Sequence, residues 1–157
     1  MTALGWFERA ARQAHVGAQY YVAKCLDPRV SSVLADIPRS AEYLARAASQ
    51  HFRNAITELG LLYLEGKIPA PDTEVAHREA VRLFKLDIQL GGADTDAYVN
   101  LGRCYNRGWG VTADRDEAQR LWNHAVTEFD DEWARRELES NGMEVPEYVE
   151  PSDSDDY

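Results

Sequence analysis

The stretch Ala97–Val126, AYVNLGRCYNRGWGVTADRDEAQRLWNHAV, reads as a helix, a glycine-punctuated turn and a second helix. Ala97, Leu101, Gly102 and Tyr105 fall at i, i+4, i+5 and i+8, which places them on one helical face. Gly108-Trp109-Gly110 stops that helix, because glycine enters left-handed backbone without steric cost. Asp114, or Asp116 two residues on, is suited to cap the next helix at its positive end. Ala118, Leu121, Trp122 and Ala125 supply the second helix with an apolar stripe. Small residues (Ala97, Gly102, Ala118, Ala125) let the two helices approach, and large ones (Leu101, Tyr105, Trp122) fill the space between them.

Working outward, weaker copies of both halves recur. Ala3, Trp6, Phe7, Ala10 and Ala11 match the second-type helix, and Ala18, Val22, Ala23 and Leu26 the first type. Asp27-Pro28 ends that copy, since proline disfavours helical geometry in the residue before it. RVSSVLAD stands where the glycine turn would be and is expected to form one helical turn, with Asp36 placed like Asp114. Ser40, Tyr43, Leu44, Ala47 and Ala48 give a second-type helix; Ala55, Leu59, Gly60 and Tyr63 give a first-type helix that stops at Gly66. The stiff loop KIPAPD leads to a second-type helix carrying Ala80, Leu83, Phe84 and Ile88, entered early through Glu74 to Glu79. Gly91-Gly92 ends it, and Asp94 or Asp96 is the expected cap of the next helix. Trp133, Ala134 and Leu138 sketch a last first-type helix closed by Asn141-Gly142.

The first-type helices therefore lead with Ala18, Ala55, Ala97 and Ala134, at spacings of 37, 42 and 37 residues. A period of this size filled by helix pairs predicts an all-α, right-handed α-solenoid of about three and a half stacked antiparallel pairs, with no sheet. Phe7, Phe84 and Trp122 share one repeat position and are expected in the core, as is Trp6 in the place of Leu121; Trp133 fits either surface or core. The domain spans 1–143, and 144–157 reads as a flexible acidic tail.

Charge narrows the function classes. The chain carries a net −10, and EVPEYVEPSDSDDY at its end holds six acids and no base. Such a chain is a poor binder of nucleic acid, where phosphate neutralisation supplies most of the affinity. It suits a basic protein partner better. No apolar run nears the roughly 20 residues that span a bilayer, and MTALGWFERAARQAHVG has no signal-like apolar segment, so a cytoplasmic location is the default expectation. Cys25 and Cys104 are two repeats apart and read as reduced thiols. His15, His51, His77 and His124 are scattered, and no nucleophile elbow, phosphate loop or metal-ligand spacing occurs. The chain is therefore read as non-enzymatic, without metal or cofactor.

These residues resemble the Sel-one-like repeat, a relative of the tetratricopeptide repeat. Ala97, Leu101, Gly102, Tyr105, Gly108, Gly110, Val111, Asp114, Ala118, Trp122 and Ala125 carry the resemblance. The Ala55 copy keeps Leu59, Gly60, Tyr63, Gly66 and Asp72 but has Ile68 at the second turn glycine; the Ala18 copy has lost the glycines, and the last is half a repeat. The resemblance implies a scaffold that binds proteins or peptides. It also implies that the first helices line a concave face, with Tyr20, Lys24, Thr57, Leu61, Leu64, Glu65, Val99, Arg103, Asn106, Arg107 and Arg136 pointing into it. Lys24, Arg103, Arg107 and Arg136 would make that groove basic, or else they are ordinary solvated charges. Trp109 reads either as packing against a neighbouring loop or as an exposed anchor, a residue type enriched in binding hot spots. Tyr148, Val149 and Tyr157 are candidate docking anchors of the tail.

The favoured role is a small acidic binder that neutralises or regulates one partner, such as an immunity protein against a basic bacterial toxin or effector. The alternatives are an adaptor or chaperone holding an acidic peptide in a basic groove, and a structural fragment of a larger solenoid.

Overall fold

The structure, a computed structural model, describes residues 3–91 and 95–148. Gly92, Asp94, the side chain of Ala3, and Val149 and Tyr157 of the tail lie outside the described residues. Eight helices follow in order: α1 (Ala3–Arg12), α2 (Val16–Cys25), α3 (Ile37–Ala48), α4 (Arg53–Leu64), α5 (Thr73–Gln89), α6 (Asp96–Arg107), α7 (Arg115–Phe129) and α8 (Glu132–Ser140). No strand occurs among the described residues. Each helix packs chiefly on its neighbours in sequence, and α6 also touches α8. This is an all-α repeat solenoid, one helix longer than the seven implied by three and a half pairs.

The helix starts follow from their side chains. Asp36, Asp72, Asp114 and Asp131 each accept the backbone N–H three residues on, at 3.1, 2.8, 3.0 and 2.7 Å. His15 Nδ1 does the same for Ala18 at 3.2 Å. These bonds satisfy donors that a helix start otherwise leaves open. Helix α6 differs: its cap is Thr95, which makes no capping bond. Thr95 Oγ1 donates instead to the carboxylate of Asp131, and Asp96 is the first helical residue.

Packing within the α4–α5 and α6–α7 hairpins depends on the glycine of the Leu-Gly pair. A Cβ at Gly102 would lie 2.3 Å from Trp122 Nε1, and one at Gly60 2.8 Å from the Phe84 ring. The space is thus occupied by the aromatic residue of the following helix, and Trp122 Nε1 donates to the Val99 carbonyl at 3.0 Å. Phe84 and Trp122 are fully buried. Phe7 is half-buried and stacks on the exposed Tyr21 at 5.3 Å. Trp6 is the exception to the expected core: it is 58% exposed, with the Arg9 guanidinium 5.3 Å over its ring. Leu121, at the same repeat position, packs with Ala80 and Phe84 of α5. No described helix lies on that side of α1. Trp133 is exposed as well.

Turns show the same division of labour. Gly66 and Gly108 take positive φ after α4 and α6. Gly110 is needed for a second reason, since a Cβ there would come within 2.6 Å of the His77–Arg78 backbone of α5. In the Ala55 copy Ile68 takes that position and buries its side chain beside Leu44, Leu59 and Leu83. Segment 27–36 forms two successive turns, the first of them a single helical turn closed by Ser31 N donating to Asp27 O at 3.0 Å. Its organiser is Asp27, whose Oδ1 accepts the Arg29 N–H at 2.8 Å and whose carboxylate grips the Arg29 guanidinium at 2.6 Å. Arg29 holds the Asp27 carboxyl below its usual range.

Three stability predictions follow from these turns and from His51, which takes positive φ between α3 and α4. Gly110→Ala combines left-handed strain with a backbone clash, so urea unfolding should report a loss of at least about 2 kcal/mol, whereas His51→Gly should gain about 0.5–1 kcal/mol by relieving φ +60°. Because the Asp27 pKa is lowered on folding, its stabilisation is present at neutral pH and is lost as pH falls through that lowered value. Asp27→Asn should therefore cost about 1–2 kcal/mol at pH 7 and progressively less as pH falls below the usual carboxylate range, read from urea midpoints across pH.

Candidate protein-binding surface

The first-type helices α2, α4, α6 and α8 present one side chain row to the next along the stack. Lys24 Nζ of α2 meets Glu58 Oε1 of α4 at 2.7 Å, and Arg103 Nε of α6 meets Glu137 Oε1 of α8 at 2.6 Å. Both pairs join the residue six after a leading alanine to the residue three after the next one. Arg29 adds a second cation to Glu58 at 2.7 Å, and Asn100 Oδ1 accepts from Arg103 Nη1 at 3.0 Å. The outer two junctions of this face are therefore closed by ion pairs.

The middle junction has no such pair. Leu61 stands at the cationic position and Asn100 at the acidic one, with Leu64 one turn further along. Here a groove of about 410 Å³ opens, lined by Leu61, Leu64 and Trp109 with Glu65, Asn100, Arg103, Arg107 and Glu137 around them. Arg107 lies 4.9 Å over the Trp109 ring, and Trp109 leans on His77 at 5.6 Å. Trp109 is half-buried and thus both packs and faces the groove. Neither Arg107 nor Glu65 takes part in an ion pair among the described residues. A smaller recess of about 130 Å³ continues the face past Leu61 to Tyr20, Asn54, Glu58 and Asp96.

Six of the twelve candidate residues, Leu61, Leu64, Glu65, Arg103, Arg107 and Trp109, thus line one groove. Tyr20 lies in the adjoining recess with its ring 5.2 Å from Phe52, and Lys24 is engaged by Glu58. Asn106 instead donates to Asn141 Oδ1 at 2.9 Å, and Arg136 pairs with Glu132 at 3.2 Å while covering Trp133 at 5.1 Å. Val99 and Thr57 are buried rather than displayed.

The expected basic groove is not observed. The groove and its recess carry Arg103 and Arg107 against Glu58, Glu65, Asp96 and Glu137, so the acids prevail. The reason is register: the next repeat sets a carboxylate opposite Lys24 and Arg103, and that pairing crosses 34 residues of sequence. Another pair that sequence reasoning missed joins Arg53 Nε to the buried Asp87 Oδ1 at 3.0 Å, tying α4 to α5.

Chemistry of other kinds finds little footing. Cys25 and Cys104 are free, and burial pushes the Cys104 thiol up to about 12, far from a reactive thiolate. Among the described residues no group of three or more His, Cys, Asp or Glu side chains is placed to hold a metal, and no helix is long and apolar enough to cross a membrane.

Comparison with known proteins agrees with this architecture. In solved structures the chain is similar to a Sel1 repeat protein from Oxalobacter formigenes, at 22% identity and TM-score 0.71, covering 92% of this chain and 58% of that one. It is similar to c5321, a protective antigen present in uropathogenic Escherichia coli strains that displays an SLR fold, at 25% identity and TM-score 0.74, covering 91% and 30%. It also resembles the Helicobacter pylori cysteine rich protein B, at 20% identity and TM-score 0.59, covering 85% and 95%. The chain thus spans just over half of the first protein and under a third of the second. No protein of curated function matches it. Sel1 repeats generally mediate protein–protein interaction, and proteins built from them are typically non-enzymatic scaffolds. The Sel1 repeat model matches residues 2–15, 16–52, 53–86 and 95–125, most of the sequence, and the chain belongs to the Sel1 repeat family.

Proposed function

We propose that this chain is a non-enzymatic, stoichiometric protein-binding module whose concave face grips a segment of one partner protein. The observation that carries this reading is the break in the ion-pair ladder. Leu61 and Leu64 occupy the middle junction, where the flanking junctions have Lys24–Glu58 and Arg103–Glu137. An apolar centre enclosed by polar contacts that exclude water is the usual anatomy of a binding hot spot. Trp109 extends the apolar floor, while Arg107 and Glu65 leave one charge of each sign for the partner. The segment that fits carries an apolar anchor beside charged residues.

The net charge of −10 favours a basic partner and speeds its encounter. A small acidic protein that neutralises or regulates one basic protein, as an immunity protein does a toxin, is the role these features support. The free thiols suit a reducing, cytoplasmic setting. Leu61, Glu65, Arg103, Arg107 and Trp109 are the proposed contact residues, with Tyr20 and Lys24 extending the surface at one end. The adaptor reading has less support, because Lys24, Arg103 and Arg136 are paired with Glu58, Glu137 and Glu132 and only Arg107 is left for an acidic peptide.

Affinity capture followed by mass spectrometry identifies the partner, and titration with purified variants tests the surface. Leu61→Arg and Arg107→Glu should each weaken binding by about tenfold or more while the helical circular dichroism stays unchanged. The association rate should fall steeply as salt rises. A partner that binds both variants as tightly as the unaltered protein overturns the assignment of this groove.

A further inference from the structure

The segment between α2 and α3 departs from the repeat in two ways that the concave-face reading leaves unused. It displays Val30, Val33 and Leu34, which are 61%, 91% and 43% exposed. These are not loose side chains on a loose loop. Val30 N and Ser31 N both donate to Asp27 O, at 2.9 and 3.0 Å, and Asp36 N donates to Leu26 O at 2.9 Å, closing the loop at its base. Leu34 N donates to Ser31 Oγ at 3.3 Å. Three aliphatic groups held in water on a braced Ω-type loop mark a contact surface.

Beside this knob lies a hole. A cavity of about 240 Å³ has a floor that includes Ile37, Leu44 and Leu62, and Pro28 and Arg29 of the same loop form part of its wall. Val33 and Leu34 do not line it, although Ile37 lies only three residues beyond Leu34, about 10 Å of extended chain. Its rim carries Lys24, Arg29 and Lys67 against Asp27, Glu58 and Glu65, three charges of each sign.

We propose that this end of the solenoid is a self-association face, on which Val33 and Leu34 of one copy enter the cavity of a second copy and the exchange is reciprocal. A two-fold contact requires a surface that complements itself, so that each copy brings both halves. Knob and hole side by side on one chain satisfy this in shape. The sign-balanced rim satisfies it in charge, since it adds no repulsion of its own between two chains that each carry −10. A basic partner, by contrast, gains nothing from a neutral rim. The face adjoins the proposed groove and shares Glu65 with it, whereas Leu61 and Trp109 at the groove centre do not line the cavity.

The test is sedimentation equilibrium of the full chain in near-physiological salt, from about 1 µM to about 500 µM, the range in which transient interfaces report. The expected result is a concentration-dependent dimer. Val33→Asp and Leu34→Asp, both at exposed positions, should raise its dissociation constant by about tenfold or more with unchanged unfolding midpoints. Leu61→Arg should leave the dimer intact. A monomer at every concentration overturns the proposal, as does a dimer that survives both aspartate variants or one that Leu61→Arg dissolves. Val33→Asp abolishing partner capture in a protein that stays monomeric also overturns it, and assigns the loop to a different protein instead.

Discussion

A tryptophan ring lying where a β-carbon would have to be is the contact on which this architecture turns. Gly102 and Trp122, with Gly60 and Phe84 as their counterpart, bring the two helices of a hairpin to a distance that no larger residue at the glycine would permit. The Trp122 indole then satisfies its N–H on the Val99 carbonyl, so close packing does not orphan the indole donor. Once the hairpins share this spacing, their stacking register repeats. That register places residue 24 opposite 58 and 103 opposite 137.

The face formed by the first-type helices is best understood as a ladder with a missing rung. At either end, charges that could serve recognition are used to join one repeat to the next, and a partner would have to break those bonds to reach them. Only the centre offers surface that water covers poorly, at Leu61, Leu64 and Trp109. Selectivity in such a groove comes from what the apolar anchor adjoins, and the uncommitted Arg107 and Glu65 set that pattern. The net charge of −10 acts at longer range, on encounter rather than on fit.

Much of the fold was legible because it is written locally. Capping aspartates announce themselves three residues before the donor they satisfy, and the alanine, leucine-glycine and tyrosine spacings repeat within single helices. What escaped was decided between repeats. The carboxylates facing Lys24 and Arg103 belong to the following helix pair, so a row of cations looked like a basic groove. Trp6 shares a pattern position with Leu121, yet burial depends on whether a described helix covers that side, which no pattern position records. Segment 28–35 lacks the turn glycines, and its single helical turn is braced by Asp27 through bonds to Arg29 that no repeat position records. Of the candidate residues, Leu61, Leu64, Glu65, Arg103, Arg107 and Trp109 lie around one groove, whereas Asn106 and Arg136 make local bonds with Asn141 and Glu132.

Because nearly every helix touches only those before and after it, contacts are made over short separations along the chain. Closing such contacts costs little loop entropy, so the chain can assemble rapidly and from more than one starting hairpin. The same geometry provides no long-range tie to resist tension. A force applied at the two termini would peel hairpins away one after another, the outermost first, and the apolar centre of the groove would be the last part of the binding face to come apart.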